Sequence, residues 1–174
     1  LSVAEIETLG KAIAFAERIH ENPVALGVLK TLLLTGYRRE EAQAMQRSWV
    51  NAAGGFVSFP DTKGGAQVRA IGPAALKIVQ SQPEILGNPY VFASETGAGP
   101  YTAVSSCLDR VCKLAGISGV TPHTLRPPHK TLHEGSPADA YYGRASAIIK
   151  QRERIKRRTG DKRPPTLPWG RCSV

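Results

Sequence analysis

The hydrophobic period of this chain changes twice, and neither an all-helical nor an all-β architecture can satisfy both changes. Ile6, Leu9, Ile13, Ala16 and Ile19 recur at helical spacing, so residues 3–20 read as an amphipathic helix. Ser2 and Glu5 form a capping box at its start. Asn22 followed by Pro23 starts a second helix through Val24, Leu26, Leu29, Leu32 and Leu33, which Gly36 ends. A short helix over Glu40 to Gln46 follows. The period then shortens. Trp49–Val50, Phe56 to Phe59 and Gln67 to Ile71 have strand character, with turns at Asn51 to Gly55 and Asp61 to Gly65. Ala74 to Val79 and Thr102 to Ala115 return to helix, the latter ending at Gly116. Helices, then a small sheet, then helices predict an α+β domain, mainly helical, with one three-stranded antiparallel sheet.

After Arg126 this order fails. Residues 127–174 hold only six Leu, Ile or Val among 48 positions, and proline clusters at both ends of the segment. Only Tyr141 to Ile155 reads as helical, and the segment is expected to be loosely packed. The domain is therefore divided into a core over 1–126 and an atypical basic, proline-rich segment over 127–174. Charge follows the same division. Residues 1–143 carry 13 Lys/Arg against 12 Asp/Glu, whereas residues 144–174 carry 10 against 2, so most of the +9 net charge sits at the end. Such a tail favours a polyanion through phosphate neutralisation and counterion release, and reads equally well as a solvated surface with no partner.

No apolar run approaches the roughly 18 residues that a membrane span needs. The three cysteines, Cys107, Cys112 and Cys172, are odd in number and lack metal-ligand spacing. That argues against a disulfide framework and a zinc site, and for a reducing, cytoplasmic setting.

Four short stretches carry the chemistry: Thr35-Gly36-Tyr37-Arg38-Arg39-Glu40-Glu41, then Asp61-Thr62-Lys63 between two strands, then Val91-Phe92-Ala93, and last Thr121-Pro122-His123-Thr124-Leu125-Arg126. Transfer of a phosphodiester builds charge on two non-bridging oxygens, and arginine, planar and permanently charged, meets it best. Arg38 and Arg126 are candidates to clamp one phosphate, and preorganised charge stabilisation is usually the largest catalytic effect. Arg38 alone reads as a surface arginine paired with Glu41; beside the other stretches it reads as half of the clamp. Glu41, three residues on, is placed to orient Arg38 rather than to react. His123 suits proton transfer near neutral pH and shares a face with Arg126 if a helix starts at Pro122. Lys63 sits at the tip of a predicted hairpin.

In this order the four stretches, with Leu1-Ser2-x-x-Glu5 at the start, resemble the catalytic domain of the tyrosine recombinases, the phage integrase family. The resemblance covers about residues 1–126. It implies site-specific recombination or integration of double-stranded DNA, by cleavage and rejoining through a 3′-phosphotyrosyl intermediate. Bond energy is conserved in that intermediate, so no nucleotide, metal or other cofactor is implied. It further implies Lys63 as the donor of a proton to the leaving 5′ oxygen, assembly as a homo-oligomer on DNA, a bacterial or phage origin, and a longer full-length protein with an N-terminal DNA-binding domain.

Two expected motifs are replaced. Gly143-Arg144-Ala145-Ser146 stands where the family has Gly-His-x-Ser, so Arg144 occupies the histidine place, and Glu153 occupies the place of the nucleophilic tyrosine. Tyr141 and Tyr142 follow Arg126 at about half the family's spacing. The nucleophile is thus missing or displaced, and this chain is expected to be inactive. A degenerate remnant, a tyrosine from another subunit, or a change of reading frame near Pro127 would each explain this, and the abrupt loss of apolar periodicity favours the last. A non-catalytic DNA-binding remnant of the same fold is the alternative. A basic RNA- or protein-interaction domain is the third possibility, in which Arg38, Lys63, His123 and Arg126 would not converge.

Overall fold

The computed structural model describes residues 1–62, 65–97 and 99–125. Helices α1 (Val3–Arg18), α2 (Pro23–Thr35) and α3 (Arg39–Gln43) lead into a sheet of β1 (Val50–Asn51), β2 (Phe56–Phe59) and β3 (Gln67–Ala70); α4 (Pro73–Gln80) and α5 (Val104–Ala115) follow. The α+β reading holds, with the three strands antiparallel in the order β1-β2-β3.

The local signals act as their chemistry requires. The Glu5 backbone N–H donates to Ser2 Oγ at 3.2 Å while the Ser2 N–H donates to Glu5 Oε2 at 2.7 Å, which closes the capping box of α1. The Ala25 N–H donates to Asn22 Oδ1 at 2.9 Å at the start of α2. Gly36 takes the left-handed conformation, φ 67°, and its N–H donates to the Leu32 carbonyl at 2.9 Å, ending α2. The strands are shorter than their apolar character suggests. Trp49 falls in a 3-10 turn, Arg47–Trp49, and Ile71 lies beyond β3, where its N–H donates to the Gly55 carbonyl at 2.9 Å.

The core is built around α2. All its residues from Val24 to Leu34 except Lys30 are buried, because α1, α3, α4 and α5 all pack on it. Lys30 instead pairs with Glu17 of α1. The turn after α4 approaches α2 so closely that a Cβ on Gly27 would meet the Gln82 amide at 2.7 Å. No described helix is long and apolar enough to cross a membrane. Cys107 and Cys112 are thiols buried in α5, and burial pushes the Cys107 thiol up to about 11, which makes it a core side chain rather than a nucleophile.

One ion pair ties the α1–α2 connection to α5. Arg110 Nε and Nη2 donate to Glu21 Oε2 and Oε1, both at 2.7 Å. This fork, together with the Asn22 backbone N–H at 3.0 Å, outweighs the cost of burial and holds the Glu21 carboxyl down at about 2. A depressed carboxyl stabilises the fold above its unfolded value and loses that contribution as pH falls through its folded value. Glu21→Gln is therefore expected to cost about 1 kcal/mol at pH 7, since Arg110 is half exposed to screening solvent. The difference from the parent should shrink between about pH 4.5 and pH 2. Urea denaturation of both proteins across that range measures it, and a gap independent of pH would refute the assignment.

Candidate active site

The turn from α2 into α3 sets the first candidate residues. Gly36 redirects the chain, Tyr37 is driven into the core at 4% exposed, and Arg38 stands at the head of α3. One helical turn on, Glu41 points back. The Arg38 backbone N–H donates to Glu41 Oε2 at 2.8 Å, and Arg38 Nη1 donates to Glu41 Oε1 at 2.8 Å. The Glu41 side chain is only 8% exposed, that of Arg38 38%. Among the described residues the Arg38 guanidinium has no other acceptor, and its side chain is partly exposed.

A residue that the motif order did not point to completes this cluster. Arg69 on β3 donates from Nη1 to Glu41 Oε2 at 2.6 Å and from Nη2 to Glu41 Oε1 at 3.0 Å. Its Nε and Nη2 also reach Gln67 Oε1, at 3.1 and 2.5 Å. Its guanidinium lies 5.8 Å from the Tyr37 ring centroid and 5.6 Å from that of Phe59, two rings that themselves meet edge-on at 5.3 Å. The Tyr37 hydroxyl donates to the Ala70 carbonyl at 2.9 Å, and burial pushes that phenol up to about 12. The strand register explains the placement. Arg69 pairs with Val57 and Gln67 with Phe59, so these four share the inner face, while Val68 opposite Ser58 is turned outward. Val68 is 68% exposed. Alternation along β3 puts Gln67 and Arg69 on one face, and the pairing with β2 turns that face inward.

Electrostatically, one carboxylate serves two guanidiniums. Burial raises the Glu41 carboxyl, but the Arg38 backbone N–H, the Arg38 guanidinium and Arg69 together outweigh it and hold the group below its ordinary value. Glu41 is thus ionised at neutral pH, and the cluster keeps one positive charge in excess, at the more exposed guanidinium.

His123 lies on a separate loop after α5. Thr121 and Thr124 cap one another: the Thr121 N–H donates to Thr124 Oγ1 at 2.8 Å and the Thr124 N–H to Thr121 Oγ1 at 3.3 Å. The Leu125 N–H donates to the Thr121 carbonyl at 3.2 Å, the first turn expected at Pro122. His123 is exposed within this turn. Leu125, 1% exposed, fastens the turn to the same core that holds Tyr37 and Ala42. Thr62 and Gly65 face each other across the β2–β3 turn, the Gly65 N–H donating to the Thr62 carbonyl at 2.8 Å. Lys63 between them lies outside the described residues, as do Arg126, Tyr141, Tyr142, Arg144 and Glu153. Among the described residues no group of His, Cys, Asp and Glu could hold a metal ion.

The prophage integrase IntF of Escherichia coli (strain K12) is 29% identical over 124 residues, which are 68% of this chain and 27% of that protein. The crystal structure of XerA recombinase superposes with a TM-score of 0.58 at 18% identity, covering 94% of this chain and 63% of that one. A lambda integrase dimer bound to a COC′ core site superposes with a TM-score of 0.55 at 18% identity, covering this whole chain (100%) and 61% of that one. No protein-family model matches the chain. The chain thus resembles the tyrosine recombinases and phage integrases in sequence and shares their fold. It spans about a quarter of the length of the curated relative.

Proposed function

We propose that this chain is a tyrosine-recombinase-type catalytic domain that grips a phosphodiester of double-stranded DNA, in site-specific recombination, and that the chain as written stops before the covalent step. The observation that carries the reading is Arg38: a guanidinium fixed on one side by a buried carboxylate, its side chain 38% exposed, with no other acceptor among the described residues. That is the geometry of a group built to bind a further anion. The likeness to IntF and to the XerA and lambda integrase folds supports it.

In this reading Arg38 and Arg126 hold the two non-bridging oxygens, where charge develops as phosphorus is attacked. His123 exchanges a proton with the reacting oxygens. A tyrosine oxygen attacks phosphorus, the bond to the 5′ oxygen breaks, and Lys63 gives that oxygen its proton. Arg144 takes the place of the second histidine as a further hydrogen-bond donor to the phosphate. The protein acts as a homo-oligomer on DNA, as paired strand exchange requires.

The attack is the step this chain lacks, because Glu153 occupies the tyrosine's place. In-line attack needs the oxygen roughly 3–3.5 Å from phosphorus. Tyr141 and Tyr142 stand too soon after Arg126 for the family's path, although about 15 residues at up to 3.3 Å each could span the domain if extended. Incubation with a suicide DNA substrate followed by denaturing electrophoresis is expected to give no covalent band. A covalent band that vanishes in Tyr141→Phe/Tyr142→Phe would show that the nucleophile has moved. Arg38→Ala is expected to weaken binding to a nicked duplex with a 3′-phosphate by about tenfold or more, on the scale of a charged hydrogen bond. Lys113→Ala, on the exposed side of α5, should change it little; equal losses would reduce Arg38 to surface charge.

A further inference from the structure

Arg69 belongs to the same cluster as Arg38 but is engaged differently. Both its terminal nitrogens and its Nε are engaged, on Glu41 and Gln67, and its guanidinium lies against the Tyr37 and Phe59 rings. Its side chain is 23% exposed, against 38% for Arg38. Four of its five N–H groups are taken, which leaves a single Nη1 hydrogen, so Arg69 has little to offer a phosphate. What it does hold is Glu41, with two parallel N–H bonds to the two carboxylate oxygens. Such a fork fixes the plane of the carboxylate, where a single bond would leave it free to turn. Glu41 Oε1 in turn receives Arg38 Nη1.

We infer that Arg69 is a positioning residue for Arg38, acting through Glu41, and that it also ties the β2–β3 hairpin to the phosphate site. This rests on the reading of Arg38 as a phosphate-binding group. The second half follows from β3: Arg69 and Ala70 are fastened to Glu41 and Tyr37 from the strand that carries the hairpin's return limb. Movement of that limb must pull on the same carboxylate that orients Arg38. Lysine cannot replace Arg69, because an ammonium is a point donor and cannot form the fork.

The test has one readout without DNA and one with it. In nitrogen-15 NMR of the protein, the Arg38 Nε–Hε signal, assigned by its loss in Arg38→Ala, is expected to move toward the solvent-exposed position in Arg69→Met and in Arg69→Lys. Binding to the nicked 3′-phosphate duplex is expected to weaken about tenfold in Arg69→Met, a coupling on the scale seen for contacting residues. The Arg38→Ala/Arg69→Met double variant should bind no worse than Arg38→Ala alone. An unmoved Arg38 signal, or losses that simply add, would overturn the inference and make Arg69 a structural residue only. If Arg69→Met does not fold, Arg69→Lys carries both measurements. If Arg38→Ala binds the duplex as tightly as the parent, the reading of the site fails, and the NMR signal still decides whether Arg69 positions Arg38.

Discussion

Glu41→Ala is expected to destabilise the folded domain by about 3 kcal/mol, the low end of the range for breaking a buried charge pair. The cost has two sources. Glu41 accepts four hydrogen bonds, three from guanidinium nitrogens and one from the Arg38 backbone. Without it two arginines stand side by side with no counter-charge. Arg38, 38% exposed, can turn to water, which is why the low end applies; Arg69, 23% exposed and set against two rings, can do so less. Glu41→Gln keeps the shape but replaces two anionic acceptors by one neutral one, and should lose nearly as much. The sign of the pH dependence follows from the depressed carboxyl. Its contribution is present above the unfolded value of about 4.5 and is lost as pH falls through the folded value. Chemical denaturation at pH 7 measures the first effect. A loss below about 1 kcal/mol, the worth of an exposed pair, would show that the cluster is not a buried one.

Phe59→Ala is expected to cost about 3–5 kcal/mol, the usual range for truncating a fully buried phenylalanine. Phe59 is 2% exposed and lies at the junction of sheet and helices. Its ring meets Tyr37 edge-on at 5.3 Å and Trp49 at 6.0 Å, and supports the Arg69 guanidinium at 5.6 Å. The cavity would open beside the Arg38–Glu41–Arg69 cluster rather than at a remote point. Phe59→Leu restores most of the apolar volume but not the ring contacts, and should lose about 1–2 kcal/mol. Calorimetric or denaturant unfolding of the two variants separates these contributions. Equal losses would mean that only volume matters at this position.

Local chemistry made much of this domain legible. A capping box at Ser2 and Glu5, an Asn-Pro start at residue 22 and left-handed glycines at 36 and 116 each act within one helical turn, and each bounds a helix where expected. The contact between Arg38 and Glu41 was legible for the same reason: three residues apart at a helix start, they can scarcely avoid each other. The stretch from Ser81 to Tyr101 was not. It is organised by isolated bridges, Gln46 with Tyr90 and Ala93 with Pro100, whose partners no local period announces.

Arg69 marks the limit most clearly. Its partner Glu41 is 28 residues away, on another kind of element. Alternation along β3 can say that Gln67 and Arg69 share a face, but not which face meets the core, because Val68 and Ala70 are the more apolar pair. Pairing with β2 decides it: register puts Arg69 beside Val57 and Phe59, and the buried carboxylate of Glu41 supplies the counter-charge that makes an inward arginine stable. The sequence by itself determined the helices, the three strands and the resemblance that names the chemistry, since these depend on spacing along the chain. Which arginine keeps most of its donors unengaged and which is locked onto Glu41 and Gln67 was decided only by the tertiary structure, because burial and shared acceptors are properties of residues brought together from distant parts of the chain.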